Sequence, residues 1–106
     1  MLLGKLLIGK GWMQKRALIA DVDPAARECL ENVLTDLGYK TAIALEDDSA
    51  FKRFIDFGPD LVFIDTLIPR KGAFELIRKI RQTEGGDSAS IFVVSALGGG
   101  SLREEA

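Results

Sequence analysis

The sequence predicts an α/β protein built on a doubly wound parallel sheet, in which four strands alternate with three helices. Three observations carry this expectation. The segments "ALIA" (17–20), "DLVFID" (60–65) and "IFVVSA" (91–96) are nearly continuous apolar runs, as strands buried on both faces are. Between the strand candidates, apolar residues recur at helical spacing. The two kinds of segment alternate strictly, which is the pattern of parallel strands joined by helical crossovers.

"ALIA" is the first strand, and it runs into "DVDP". Asp23 there is a natural N-cap, with Pro24 at the first helical position. Ala26, Cys29, Leu30, Val33, Leu34 and Leu37 follow at helical spacing, and Gly38 supplies a left-handed stop. Cys29 falls on this apolar face and is expected to be inert. "KTAIAL" (40–45) is the second strand. Asp47 or Asp48 caps a second helix that turns Ala50, Phe51, Phe54 and Ile55 inward, and "FGPD" breaks it. After the third strand, Pro69 and Gly72 mark "LIPRKG" as a loop. Phe74, Ile77 and Ile80 then set a third helix over "AFELIRKIRQ". A polar, Gly-rich connection over 83–90 leads to the fourth strand. The tail "LGGGSLREEA" is expected to end before another element forms. Residues 1–15 read as a poorly ordered leader, and 16–106 as the folded domain.

Composition narrows the function classes. The chain has 106 residues, 47% of them hydrophobic, which suits one domain. Its formal charge of −2 and pI of about 5.1 give no basic footprint for nucleic acid. It contains no His, which removes His-based triads, His metal sites and haem ligation by His. A lone Cys forms no internal disulfide and fits the cytoplasm. No apolar run reaches the roughly 18 residues of a membrane span. The opening "MLLGKLLIGKGW" is broken by Gly4 and Lys5, so no signal peptide is expected.

In open sheets of this kind, ligands gather outside the carboxyl ends of the strands where strand order reverses. With the flavodoxin-like order 2-1-3-4, that reversal lies between strands 1 and 3. Asp21 follows strand 1, Asp65 closes strand 3 and Ser95 lies at the end of strand 4, so three distant residues are expected in one pocket.

These segments resemble the receiver domain of two-component response regulators. "ALIADVDPAARECLENVLTDLGY" is similar to the family's first strand, acidic cluster and first helix. "PDLVFIDTLIPRKGAFELIRKIR" resembles the segment where an Asp closes strand 3 and a Pro follows four residues later. "IFVVSA" is similar to the strand ending in Ser/Thr-Ala. The resemblance implies a signalling switch and not an enzyme. It makes Asp65 the phosphoryl acceptor, Asp21 an acidic pocket residue and Ser95 the hydroxyl that binds a phosphoryl oxygen. It also implies a magnesium ion held by Asp21, Asp65 and the backbone carbonyl of Leu67. The partner it implies is a histidine kinase or a phosphotransfer protein.

Two departures qualify what the family pattern implies. Val22 stands where the family has a second acidic residue, which predicts weak magnesium binding and favours a second function: a pseudo-receiver that signals by protein–protein interaction without phosphorylation. The family's fifth strand, its Lys, its switch aromatic and its last helix find no counterpart before Ala106, so the fifth βα unit is expected to be missing. Strand 4 then becomes an edge, through which two chains are expected to associate. Asp23 reads as a helix cap, "RKIRQ" as a solvated face, and Phe51, Phe54, Phe57 and Phe63 as core. A flavodoxin-like nucleotide binder would want a Gly-rich or hydroxyl-rich loop after strand 1, where "DVDPAARE" is acidic.

Overall fold

A computed structural model of the chain describes residues 15–95 and 101–105. The expected leader lies outside them except for Lys15, which opens the first strand. The strands are β1 (Lys15–Ala20), β2 (Tyr39–Ala44), β3 (Leu61–Asp65), β4 (Ser90–Ser95) and β5 (Ser101–Glu105); the helices are α1 (Pro24–Asp36), α2 (Asp47–Phe57) and α3 (Ala73–Arg81). They form a five-stranded sheet in the order β2-β1-β3-β4-β5. The first four strands are parallel, in the 2-1-3-4 order the sequence predicts.

Crossovers between parallel strands are right-handed, so the direction of travel decides which face each helix covers. The chain moves one way from β1 to β2 and the other way from β2 through β3 to β4. Consequently α1 lies on one face, while α2 and α3 share the other. Leu34 of α1 packs with Ala17, Ile19 and Phe63. On the opposite face Ala50 and Phe54 of α2 join Ala73, Leu76 and Ile80 of α3 over Leu18, Ala20, Val62, Ile64 and Ile91.

Capping follows the sequence closely at α1. Asp23 accepts a hydrogen bond from the Ala25 N–H at 3.2 Å, Pro24 opens the helix, and Gly38 takes φ +93° beyond its end. At α2 the cap is Glu46, not Asp47 or Asp48. The Ser49 hydroxyl closes back on the Glu46 backbone, accepting from its N–H at 3.4 Å and donating to its carbonyl at 3.1 Å.

The tail corrects the sequence reading. Ser101–Glu105 is a strand, paired antiparallel to β4 from Ile91↔Glu105 to Ser95↔Ser101. Only five residues separate β4 from β5, and so short a link serves an antiparallel neighbour, whereas a parallel one needs a long crossover. "SLREE" lacks apolar alternation, so its pairing rests on backbone groups that the side-chain pattern does not advertise. Strand β4 is therefore internal, and the edge expected to join two chains is occupied by the chain's own β5.

Helix faces also shift from their expected phase. Val33 of α1 and Leu37 at its C-cap are 51% and 64% exposed, and Cys29 is exposed rather than tucked against the core. One helix about 10 Å wide spans roughly two strands spaced 4.8 Å apart, so the flank of α1 has little described structure to press against. Glu31 on the other flank receives a hydrogen bond from Thr41 of β2. Ile55, expected inward, is likewise exposed, as is Phe74 of the residues that set the third helix, while Ala73, Leu76 and Ile80 carry the inner face of α3. No helix among the described residues is long and apolar enough to cross a membrane.

Candidate functional site

The register of β1 on β3 pairs Ala20 with Ile64, so the next residues, Asp21 and Asp65, stand side by side at the strands' carboxyl ends. This is the point where strand order reverses. Both carboxylates are nearly buried, with 3% and 4% exposure. The backbone around them is fixed by the sheet: the Asp21 N–H bonds the Ala44 carbonyl at 3.0 Å, and the Thr66 N–H bonds the Val94 carbonyl at 2.9 Å. The loop after β3 turns back at once, with the Ile68 N–H donating to the Asp65 carbonyl at 3.0 Å.

Few donors reach the carboxylates. Asp21 Oδ1 accepts from the Asp23 N–H at 2.9 Å, whereas Asp65 Oδ1 is buried without a hydrogen-bond partner. Burial raises the Asp21 carboxyl above its usual range. The Asp23 amide pulls it back, and the adjacent charge of Asp65, a side-chain hydrogen bond to Asp65 and the charge of Asp23 raise it further. Two nearly buried carboxylates side by side, one with an unserved oxygen, form an anionic pocket that favours a cation or a proton.

Other residues of the acidic segment have different employment. Asp23 spends its carboxylate on the α1 cap, as the sequence suggests. Val22 is 40% exposed, and its carbonyl and that of Asp21 accept from Arg27 Nη1 at 3.0 and 3.2 Å. Leu67 lies in the loop after Asp65 with its side chain 54% exposed. Ser95 ends β4, one residue beyond Val94, the register partner of Asp65; its side chain lies outside the described structure. Asp21, Asp65 and the backbone of Ser95 thus converge on the same end of three adjacent strands.

One residue that the sequence offers only as a helix cap has another role. Asp47 opens α2 and is buried to 5% exposure. Its Oδ2 accepts from the Lys71 N–H at 2.8 Å, tying α2 to the loop after β3, while its Oδ1 has no partner. With Glu46 and Asp48 it forms, among the described residues, the one set of three carboxylates within 4.8 Å of one another. Adjacent Asp residues before a helix look alike as caps, and nothing in the pattern separates the buried one.

Comparison with known proteins decides the family. The family model of the response regulator receiver domain matches residues 17–106. The chain belongs to the response-regulator receiver-domain family. It is thereby a domain of two-component signalling with the CheY-like, flavodoxin-like fold. Among curated relatives, the response regulator MprA of Mycobacterium sp. (strain KMS) is 34% identical over 84 residues, covering 79% of this chain and 36% of that protein. The receiver domain thus spans little more than a third of the curated relatives it matches. Among solved structures, a CheY-like response regulator receiver domain from Methylobacillus flagellatus aligns with a TM-score of 0.70 and 26% identity, over 77% of this chain and 70% of that one. The receiver domain of a sensor histidine kinase from Pseudomonas aeruginosa, with magnesium coordinated in its active-site cleft, aligns with a TM-score of 0.70. It is 21% identical, over 76% of this chain and 66% of that one, a likeness of fold.

Proposed function

We propose that this receiver domain accepts a phosphoryl group on Asp65 from a phosphohistidine of a histidine kinase or phosphotransfer protein. The observation that carries this reading is the buried Asp21–Asp65 pair at the strand-order reversal, with Asp65 Oδ1 left without a donor. A carboxylate oxygen attacks phosphorus, the P–N bond to a donor imidazole protonated on its other ring nitrogen breaks, and an aspartyl phosphate forms while neutral imidazole leaves with that proton. Ser95, at the end of β4, offers its hydroxyl to a phosphoryl oxygen.

The pocket fits a hard divalent cation: two carboxylates meet, and among the described residues no side-chain cation forms an ion pair with either. Asp21, Asp65 and the Leu67 carbonyl would hold magnesium, as the Pseudomonas aeruginosa receiver holds one in its cleft. When bound, magnesium neutralises charge developing on the phosphoryl oxygens. Asp21 would supply ligand charge on the β1 side, and Asp65 would be both ligand and nucleophile.

Val22 favours a second reading. With an apolar residue at the family's second acidic place and Asp23 committed to the helix cap, the pocket has one carboxylate fewer. A pseudo-receiver signalling through protein contacts alone would need no more. Incubation with acetyl phosphate and magnesium, followed by intact mass, separates the two. We expect one phosphoryl group on the protein, none on Asp65→Asn, and faster labelling at lower magnesium for Val22→Asp. An unlabelled wild type alongside a labelled Val22→Asp variant would establish the pseudo-receiver, and labelling that survives in Asp65→Asn would refute the acceptor.

A further inference from the structure

We propose that Asp47 is a positioning residue for the phosphoryl pocket: its buried carboxylate locks the loop from Thr66 to Gly72, which carries the Leu67 carbonyl. This deepens the function proposed above and rests on it.

The loop leaves Asp65 in a tight turn and returns to the sheet's flank at α3. Its near end is held by the Thr66 and Ile68 amides and by the Ile68 side chain, buried to 3% exposure. Its far end needs a separate anchor, because Arg70 adopts φ +81°. That is the left-handed region, which glycine enters freely and a side chain enters at a cost. Such a conformation persists only where surrounding contacts over-determine it.

Those contacts come from the start of α2. The Lys71 N–H, immediately after Arg70, donates to Asp47 Oδ2 at 2.8 Å. Arg70 Nε lies 3.4 Å from Asp48 Oδ2 and 3.7 Å from Glu46 Oε1, and Lys79 Nζ lies 4.0 Å from Asp48 Oδ1. The Arg70 pairs are more than two-fifths exposed and contribute little on their own. The Asp47 bond is different: it is short, partly buried and accepted by a carboxylate, and therefore the stronger tie. Its burial is tolerable because Asp47 occupies the first turn of α2, where the helix dipole favours a negative charge. No cap is formed by Asp47, so its single hydrogen bond to the loop is its evident employment.

Releasing Lys71 lets Arg70 relax toward negative φ. That rotation acts two residues beyond Ile68 and reorients the chain entering Pro69, which pulls on the Leu67–Ile68 peptide. The ligand carbonyl then loses its fixed direction, while Asp21 and Asp65 stay on their strands. The effect belongs to magnesium binding more than to the chemical step.

The test compares wild type, Asp47→Ala, Asp47→Asn and Arg70→Gly, each checked for cooperative unfolding. Hydrogen exchange at the Lys71 amide reads the lock, magnesium titration followed by amide shifts reads the pocket, and acetyl phosphate labelling reads the reaction. In Asp47→Ala we expect Lys71 protection to fall at least tenfold. The half-saturating magnesium concentration should rise at least threefold, with labelling at saturating magnesium within twofold of wild type. Asp47→Asn keeps an acceptor oxygen and should restore most of both losses, and Arg70→Gly should change magnesium affinity less than twofold. Unchanged magnesium affinity in Asp47→Ala, with or without loss of Lys71 protection, overturns the proposal. A wild type that neither binds magnesium nor is labelled overturns the function above instead, a failure visible before any variant is made.

Discussion

At the scale of single residues, the decisive feature is a deliberate electrostatic conflict. Asp21 and Asp65 are set side by side, buried, and given one backbone amide between their four oxygens in the described hydrogen bonds. Burial first, then the neighbouring charge, raises the Asp21 carboxyl. A carboxyl raised in the fold favours its protonated form there. The ionised pair therefore costs stability at neutral pH, and the cost disappears as pH falls through the folded value to the unfolded one, about 3.9. Asp21→Asn should accordingly raise the thermal midpoint at pH 7 in a chelator, and the advantage should fade as pH approaches about 4. Added magnesium should stabilise wild type by mass action and the Asn variant less. Thermal unfolding across pH, with and without magnesium, reads all three; an Asn variant no more stable than wild type at pH 7 would mean that the pair carries no strain.

Elements show where the sequence is legible. "ALIA" and "LVFI" declare themselves because both sheet faces are covered at those strands, and burial on both sides demands a nearly unbroken apolar run; "IFVV" reads the same way although Phe92 and Val94 are only partly buried. Asp23-Pro24 declares the start of α1 because capping chemistry is local. Phase is less legible. Phe74 and Ile55 are apolar at plausible helical positions, yet α2 and α3 pack against each other as well as on the sheet, and that shared contact selects Ala73 and Leu76 instead. Of the site, Asp21 and Asp65 are readable because strand ends and sheet order place them. Asp47 is not, since its partner is a backbone amide 24 residues away. On α1 the apolar stripe is wider than the surface it covers. Leu34, at 4% exposure, should cost about 2–5 kcal/mol on replacement by Ala. Val33→Ala, at 51% exposure, should stay within about 0.5 kcal/mol. Denaturant unfolding of the two variants distinguishes them, and equal losses would contradict the one-flanked packing of α1.

For the whole molecule, β5 changes what the chain offers to other chains. A parallel sheet ending at β4 would present a row of unpaired amide and carbonyl groups beside the apolar residues Ile91, Phe92, Val93 and Val94, which is an invitation to strand pairing. The antiparallel β5 occupies that row along its whole length, from Ile91 to Ser95. The sequence it brings to the new edge, "SLREE", is rich in charge, the composition that edge strands use to discourage pairing. The same strand shields the site, because Ser95 and Val94, next to Asp65, would otherwise stand on a fraying border. Deleting residues 101–106 should therefore do two things at once. The thermal midpoint should fall, since losing even about 1 kcal/mol moves it by roughly 4–8 °C in a domain of this size. The shortened protein should also self-associate in sedimentation experiments in proportion to its concentration, because β4 regains a free edge. A shortened protein that remains monomeric with an unchanged midpoint would mean that β5 closes nothing, and that the β3–β4 side of the sheet is sustained by its two helix-covered strands alone.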